Sequence, residues 1–147
     1  MTRLRLRARH AEEIHAHLCG AYPEEGCGVL LGREADGTRL VERVLPFENR
    51  RMDQRDHRYL ITPEQFLVAE REGREAGLDV LGFFHSHPDH PALPSAFDLE
   101  HAWPYYSYLI VSVERGRVAD ARSWRLAADR SRFEPESLET TSAEAPA

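Results

Sequence analysis

The sequence predicts a single α/β domain in which a mixed or mostly antiparallel, curved β-sheet is flanked by helices. The basis is that short apolar runs of strand length, some joined by tight turns, alternate along the chain with stretches of helical periodicity. A length of 147 residues suits one domain, and 41% apolar residues suffice for a core. No apolar run reaches the length of a membrane helix and the first residues are too polar for a secretory signal, so we expect a cytoplasmic protein.

Charge and cysteine content exclude several classes of function. All 19 basic residues are arginines, and the absence of lysine rules out a lysine Schiff base, a P-loop lysine and a Ser–Lys dyad. The net charge of -6 argues against a nucleic-acid partner. The two cysteines, Cys19 and Cys27, are expected to be reduced thiols, because no export signal is predicted.

The first third of the chain predicts three strands and one helix. Residues 4–6 alternate leucine with arginine, which is typical of a short, half-buried strand. Residues 8–22 have the apolar spacing of a helix, which a proline ends. Two strands over 25–31 and 40–47 are joined by an Asp-Gly turn and form a hairpin. The polar, arginine-rich residues 48–58 are predicted to form a surface loop.

The next helix carries clear signals at both ends. Thr62 is a favourable N-cap, Pro63 stands at the first helical position, and Gln65 completes a capping box. Gly77 ends the helix. The almost unbroken apolar run over residues 78–84 is then a buried strand.

The remainder of the chain predicts a short helix, a hairpin and a tail. Residues 95–102 suit a helix that begins at a serine, and the runs 108–113 and 118–124 form a hairpin around an Arg-Gly turn. We therefore expect a domain over residues 1–126. Residues 127–147, rich in Ser, Thr, Glu, Pro and Ala, are expected to form a disordered acidic tail.

Two histidines that directly follow the buried strand carry the chemistry. Side chains two residues apart on a strand point to the same face, so His85 and His87 can converge on one point. Asp98 stands eleven residues after His87, across a proline-rich loop. Two imidazoles and one carboxylate with one open position match the ligand set of a catalytic zinc site. A closed structural site would need a fourth protein ligand, and the sequence has no Cys-x-x-Cys pair.

Other interpretations of the neighbouring residues remain open. Ser95 and Asp98 form a capping box, which can coexist with a metal-ligand role for the aspartate. His15 and His17 also form a His-x-His pair, but on a helix they lie about 200° apart and cannot chelate together. His101 follows Asp98 by almost one helical turn and is a spare candidate ligand.

A hydrolytic metal site also needs a base for the attacking water. Glu24 and Glu25 are the candidates because they adjoin the glycine-flanked apolar strand, although a charged residue at the mouth of a strand is as often simply solvated. Cys27 would face the same side of the strand as Glu25. A small buried thiol is its ordinary interpretation, and a role in tuning or ligating the metal is the alternative.

The complete pattern resembles the active-site motif of the JAMM/MPN+ metallopeptidases over roughly residues 4–124. The resemblance implies an MPN fold, similar to that of the cytidine deaminases, and one zinc ion per chain. It implies that Glu25 is the general acid and base and that Ser95 stabilises the oxyanion. The zinc ligands implied are His85, His87 and Asp98. The motif as it stands here is Glu25-x-x-Gly28 with His85-x-His87-x7-Ser95-x2-Asp98.

The same resemblance implies a reaction and a partner. The compact chain is similar to the stand-alone prokaryotic branch of the family, which implies zinc-dependent hydrolysis of a peptide or isopeptide bond at the C-terminus of a ubiquitin-like, sulfur-carrier-type protein. The alternative is a non-catalytic MPN-type scaffold or binding module, which the complete set of motif residues disfavours. We expect no nucleic-acid or membrane partner, and the sequence leaves the oligomeric state open.

Overall fold

The computed structural model describes residues 2–142, in which we find seven strands and three helices. Every element expected before residue 125 is present with similar bounds. No helix within this described range is long and apolar enough to cross a membrane. The elements are β1 (Arg3–Arg7), α1 (Ala8–Ala21), β2 (Cys27–Ala35), β3 (Thr38–Phe47), α2 (Pro63–Ala76), β4 (Asp79–Pro88), α3 (Ala96–His101), β5 (Ser107–Glu114), β6 (Arg117–Leu126) and β7 (Phe133–Thr141).

The strands form one mixed sheet that closes into a barrel in the order β1-β3-β2-β4-β5-β6-β7. β2 pairs antiparallel with β3 and β4, and β6 pairs antiparallel with β5 and β7. β1 pairs parallel with β3 and β7, and β4 pairs parallel with β5. The expected α/β domain with a curved, mixed sheet is therefore confirmed. Strand β4 pairs with β2 on one side and β5 on the other, so both neighbouring strands hold the strand whose end carries the histidines.

Helices α1 and α2 pack against opposite faces of β2. From α1, the fully buried Leu18 joins a cluster that contains Leu30 of β2 and Phe84 of β4. From α2, Ala69 joins a second cluster that contains Val29. Adjacent residues of a strand point to opposite faces, so one strand contributes to both clusters. The same two clusters contain Phe84 and, at the edge of the second cluster, Phe83, which directly precede His85 on β4.

The N-terminus of α2 forms as the sequence predicts. The Gln65 backbone N–H donates to Thr62 Oγ1 at 3.1 Å, and the Thr62 N–H donates to Gln65 Oε1 at 2.8 Å, which completes the capping box. Gly77 ends the helix with a φ of 71°, in the left-handed region that favours glycine. Gln65 Nε2 also donates to the Glu48 carbonyl at 3.0 Å, so the start of α2 holds the beginning of residues 48–61.

The last strand corrects the prediction of a disordered tail over residues 127–147. Phe133–Thr141 form β7, which lies between β1 and β6 and closes the barrel, so the folded domain extends beyond residue 126. The segment lacked an apolar pattern because its buried residue is Glu136. The Glu136 carboxylate accepts hydrogen bonds from Ser123 Oγ at 2.7 Å and from Thr2. Residues 143–147 of the expected tail lie outside the described residues.

Candidate metal centre

Strand β4 places His85 and His87 at its C-terminal end with both imidazoles on one face. The strand register sets His85 beside Cys27 of β2 and Ile110 of β5. Only 1% of the His85 side chain is exposed, and His87 is also buried. The two Nε2 atoms lie 3.2 Å apart. The structure thus brings the two imidazoles together as the strand periodicity predicts.

The capping box of α3 places Asp98 beside these histidines. Ser95 Oγ accepts from the Asp98 N–H at 3.0 Å, and the Ser95 N–H donates to Asp98 Oδ2 at 2.9 Å. The same Oδ2 lies 3.0 Å from His87 Nε2, and Asp98 Oδ1 lies 3.3 Å from His85 Nε2. Helix capping and approach to the histidines therefore coexist in one carboxylate.

The donor atoms of His85, His87 and Asp98 are spaced as metal ligands are. With metal–ligand distances near 2.1 Å, two ligand atoms of a tetrahedral site are about 3.4 Å apart. The nearest separations here are 3.0 Å between His87 and Asp98 Oδ2, 3.2 Å between the two histidines, and 3.3 Å between His85 and Asp98 Oδ1, so each carboxylate oxygen lies near a different histidine. His87 Nδ1 lies 2.9 Å from the Pro91 carbonyl oxygen, an arrangement that assigns the proton to Nδ1 and leaves the Nε2 lone pair available. The group fits a divalent metal ion with one position left open.

The electrostatics of the metal-free group favour the metal-binding protonation state at Asp98 and His85, whereas at His87 they favour the protonated imidazole. Burial by itself would raise the pKa of Asp98, but the charge of His85 and the hydrogen bonds from both histidines and Ser95 hold that pKa well below its usual range. Burial lowers the pKa of His85 and so favours the neutral imidazole. Burial also acts to lower the pKa of His87, but its hydrogen bonds to Asp98 and Pro91 raise it overall. An ionised carboxylate and neutral imidazoles are the ligand forms.

The structure distinguishes the two candidate bases. Glu25 lies two residues before β2 and is 5% exposed, whereas Glu24 is exposed. Burial raises the pKa of Glu25 to about 8, and the charges of His87 and Asp98 act on it in opposite directions. The Glu25 carboxyl is therefore within electrostatic range of the histidine–aspartate group. Glu24 does not share that environment.

Residues 48–61, which we call the covering segment, lie against the centre. The Tyr59 ring stacks on His85, with centroids 4.5 Å apart and planes 23° from parallel. The Glu25 N–H donates to the Arg55 carbonyl at 2.6 Å, and Asn49 Nδ2 donates to the Glu25 carbonyl at 2.9 Å. The expected surface loop therefore also forms part of the site. Sequence reasoning missed Asn49 and Tyr59 because the segment has no apolar periodicity to mark them.

A cavity of about 310 Å³ opens beside His85 and Asp98. Two guanidinium groups lie over one of its aromatic rings: Arg58 is 4.1 Å and Arg51 5.5 Å from the centroid of Phe97. An aromatic cavity next to convergent polar groups is the usual form of a ligand-binding site. Its aromatic lining comprises Tyr59, Phe83, Phe97, Trp103, Tyr108 and Phe133.

Three further residues named from the sequence have distinct environments. Ser95 is exposed, and its Oγ accepts from the Asp98 N–H, which leaves its hydroxyl proton free to donate. His101 lies outside the ligand group; its Nδ1 is 2.9 Å from the Phe97 carbonyl and its ring packs on Phe97. Burial, followed by the charge of Glu25, raises the pKa of Cys27 to about 12. A protonated thiol agrees with its interpretation as a small buried residue.

A mixed barrel with a buried His-x-His pair on one strand and an aspartate on the next helix defines a domain of the JAB/MPN class with a candidate metal site. Residues 7–127 match the family described as prokaryotic homologs of the JAB domain, and the chain belongs to this family. The crystal structure of a JAB1/MPN domain protein from Archaeoglobus fulgidus superimposes with a TM-score of 0.59, covering 93% of this chain and 98% of that chain at 17% identity. The expected MPN fold is confirmed.

Relatives with higher identity include enzymes. The chain is 38% identical to the protein named desampylase of Haloferax volcanii, over 84% of this chain and 88% of the relative. It is also 38% identical to the "probable TtuB-protein conjugate cleaving protease" of Thermus thermophilus, over 70% of this chain and 66% of the relative. A solution structure from Desulfitobacterium hafniense has 36% identity and a TM-score of 0.83, covering 95% of this chain and 94% of that chain. The expectation of a hydrolase is confirmed.

Proposed function

We propose that the protein is a zinc-dependent peptidase that hydrolyses the peptide or isopeptide bond at the C-terminus of a ubiquitin-like protein of the sulfur-carrier type. The observation that carries the proposal is the convergence of His85, His87 and Asp98, whose nearest donor atoms are 3.0 to 3.3 Å apart in pairs, together with the buried Glu25 within electrostatic range. The name of the Thermus thermophilus relative refers to cleavage of a protein conjugate, which supports a conjugate as substrate.

In this proposal His85, His87 and Asp98 hold one zinc ion per chain. Bound zinc would polarise the scissile carbonyl and lower the pKa of a water molecule. The chain presents the three ligands already oriented, because Pro91 fixes the tautomer of His87 and the Ser95 backbone holds Asp98. Such support is what keeps metal ligands in a productive geometry.

Glu25 and Ser95 take the remaining roles. The Glu25 carboxylate accepts a proton from the attacking water and returns it to the leaving nitrogen. A nearby cation favours the ionised carboxylate and so opposes the burial that raises its pKa to about 8 in the metal-free protein. The Ser95 hydroxyl accepts a hydrogen bond from the Asp98 N–H and keeps its own proton to donate to the oxygen that becomes negative in the transition state.

The cavity limits which part of a substrate reaches the centre. A volume of about 310 Å³ admits a short extended segment but not a folded domain. The folded part of a ubiquitin-like substrate therefore stays outside while its C-terminal tail passes Asp98. The proposal also places the protein in the cytoplasm, where the free thiols of Cys19 and Cys27 stay reduced.

The experiment combines zinc analysis with single-turnover cleavage of a sulfur-carrier protein, either extended at its C-terminus or joined to a lysine side chain. Wild-type protein should hold about one zinc per chain. Glu25→Gln should keep the zinc but cleave about 10²–10⁴-fold more slowly. Asp98→Asn should bind zinc more weakly, because a neutral amide is a poorer ligand than a carboxylate. Glu24→Gln is the matched control and should behave as wild type.

Three results would contradict the proposal. Full activity of Glu25→Gln would show that another group moves the proton. Stoichiometric zinc in a His85→Ala, His87→Ala double variant would show that the metal is bound elsewhere. Wild-type protein that holds zinc but cleaves neither type of substrate would favour the non-catalytic scaffold.

A further inference from the structure

The side chain of Asn49, the only asparagine in the chain, is fully hydrogen-bonded to backbone groups. Nδ2 donates to the carbonyls of Glu25 and Arg58, both at 2.9 Å. Oδ1 accepts from the N–H groups of Arg51 and Leu60, both at 3.0 Å. A carboxamide has two donors and two acceptor lone pairs, so its capacity is used completely. Three of the partners belong to the covering segment, and the fourth is Glu25.

These bonds close the covering segment and attach it to Glu25. The two ends of the segment are also joined by the Arg50 N–H, which donates to the Leu60 carbonyl at 3.2 Å. From the middle of the segment, the Arg55 carbonyl accepts from the Glu25 N–H at 2.6 Å. The peptide groups on both sides of the Glu25 Cα are therefore held by one closed segment. Glu25 precedes β2, so pairing of that strand does not supply these bonds.

We propose that Asn49 is a positioning residue that keeps the Glu25 carboxyl at the distance from the histidine–aspartate group that proton transfer requires. The inference rests on the proposed function, in which Glu25 moves the proton. Asn49 acts through the Glu25 backbone, and none of its four hydrogen bonds goes to a proposed metal ligand. A shift of about 1 Å in a reacting group can cost about 10²-fold in rate. The effect should therefore fall on turnover and not on metal content.

Asn49→Asp tests this with little change in size. The variant keeps an oxygen for the Arg51 and Leu60 amides but turns the donor towards the Glu25 and Arg58 carbonyls into a second oxygen. Gln54→Glu makes the same chemical change at an exposed residue of the same segment and is the matched control. We expect Asn49→Asp to lower kcat by about 10²-fold with KM changed less than about threefold and zinc content unchanged. Gln54→Glu should leave all three quantities as in wild type.

A second measurement needs neither activity nor a variant. The chain has three side-chain carboxamides, those of Asn49, Gln54 and Gln65. Their NH₂ signals can be followed by NMR after transfer of the metal-free protein into D₂O. We expect the Asn49 protons to exchange at least about tenfold more slowly than those of the exposed Gln54, because both Asn49 protons are hydrogen-bonded. Equally fast exchange would refute the hydrogen bonds on which the inference depends.

The outcomes separate this inference from the proposed function. A folded Asn49→Asp with wild-type kcat, alongside an inactive Glu25→Gln, would overturn the role of Asn49 and leave the proposed function standing. Loss of zinc from Asn49→Asp would also overturn it, because the residue would then support the ligands. If the Asn49→Asp variant fails to fold, Asn49→Ala is assayed in the same way and provides the test instead. If neither variant folds, Asn49 is a folding residue and the inference is wrong.

Discussion

Replacing Glu25 by glutamine should stabilise the metal-free protein at neutral pH, although it removes the proposed proton acceptor. Glu25 is 5% exposed, and burial raises the pKa of its carboxyl from 4.5 to about 8. The folded state therefore holds this proton at pH values where the unfolded chain has already released it. Glutamine has nearly the shape of the protonated side chain and carries no charge at any pH.

The sign and size of this change in the free energy of unfolding follow from proton linkage. Below pH 4.5 the carboxyl is protonated in both states and Glu25 costs nothing. Between pH 4.5 and about 8 the unfolded state is favoured by about 1.4 kcal/mol for each pH unit. At pH 7 the cost is on the order of 3 kcal/mol, which Glu25→Gln removes. For a domain of this size that corresponds to a rise in Tm of about 5–10 °C.

The assay is urea or thermal denaturation of EDTA-treated protein at pH 4 and pH 7, with Glu24→Gln as the control. Glu25→Gln should exceed wild type at pH 7 and equal it at pH 4, while the exposed Glu24 should matter little at either pH. Added zinc should reduce the difference, because a cation beside Glu25 favours its ionised form. A stability gain that is absent at pH 7, or equal at both pH values, would refute the reasoning.

Three other changes test separate parts of the structure. Truncation after Arg132 removes β7 and its pairing with β1 and β6, so it should lower Tm by more than about 10 °C in thermal denaturation; an unchanged Tm would contradict the barrel closure. Tyr59→Leu should weaken zinc binding about tenfold in chelator competition while Tyr59→Phe does not, because the ring packs on His85; equal affinities would show that the ring does not orient it. His101→Ala should leave zinc content unchanged, since His101 lies outside the ligand group.

Local sequence signals predict most of the fold, and the exception is strand β7. The helix α2 was predicted with both ends, because Thr62, Gln65 and Gly77 act within one or two turns of their positions. Strand β7 was not predicted, because its stabilisation comes from pairing with the distant β1 as well as with the neighbouring β6, and from a buried carboxylate. Hydrophobic periodicity cannot detect a strand whose buried residue is Glu136.

In the candidate site, too, local sequence signals predict some residues, whereas others depend on contacts that only the fold creates. The convergence of His85, His87 and Asp98 was predictable, because strand periodicity and a capping box determine where these side chains point. The part played by Asn49 was not, because its partners are backbone groups of residues brought together by the fold. Side chain–backbone bonds of this kind have no sequence period.

The carboxylate of Asp98 couples the metal centre to the shape of the cavity. Its Oδ2 serves both the Ser95 amide and His87, and α3 has only six residues, so the helix depends strongly on its first turn. Phe97, in that turn, forms part of the cavity wall. An ion that anchors Asp98 would stiffen this wall, and chelation would loosen it. If the cavity binds substrate as proposed, the metal would also maintain the shape of its wall, so metal removal should weaken substrate binding in addition to stopping hydrolysis.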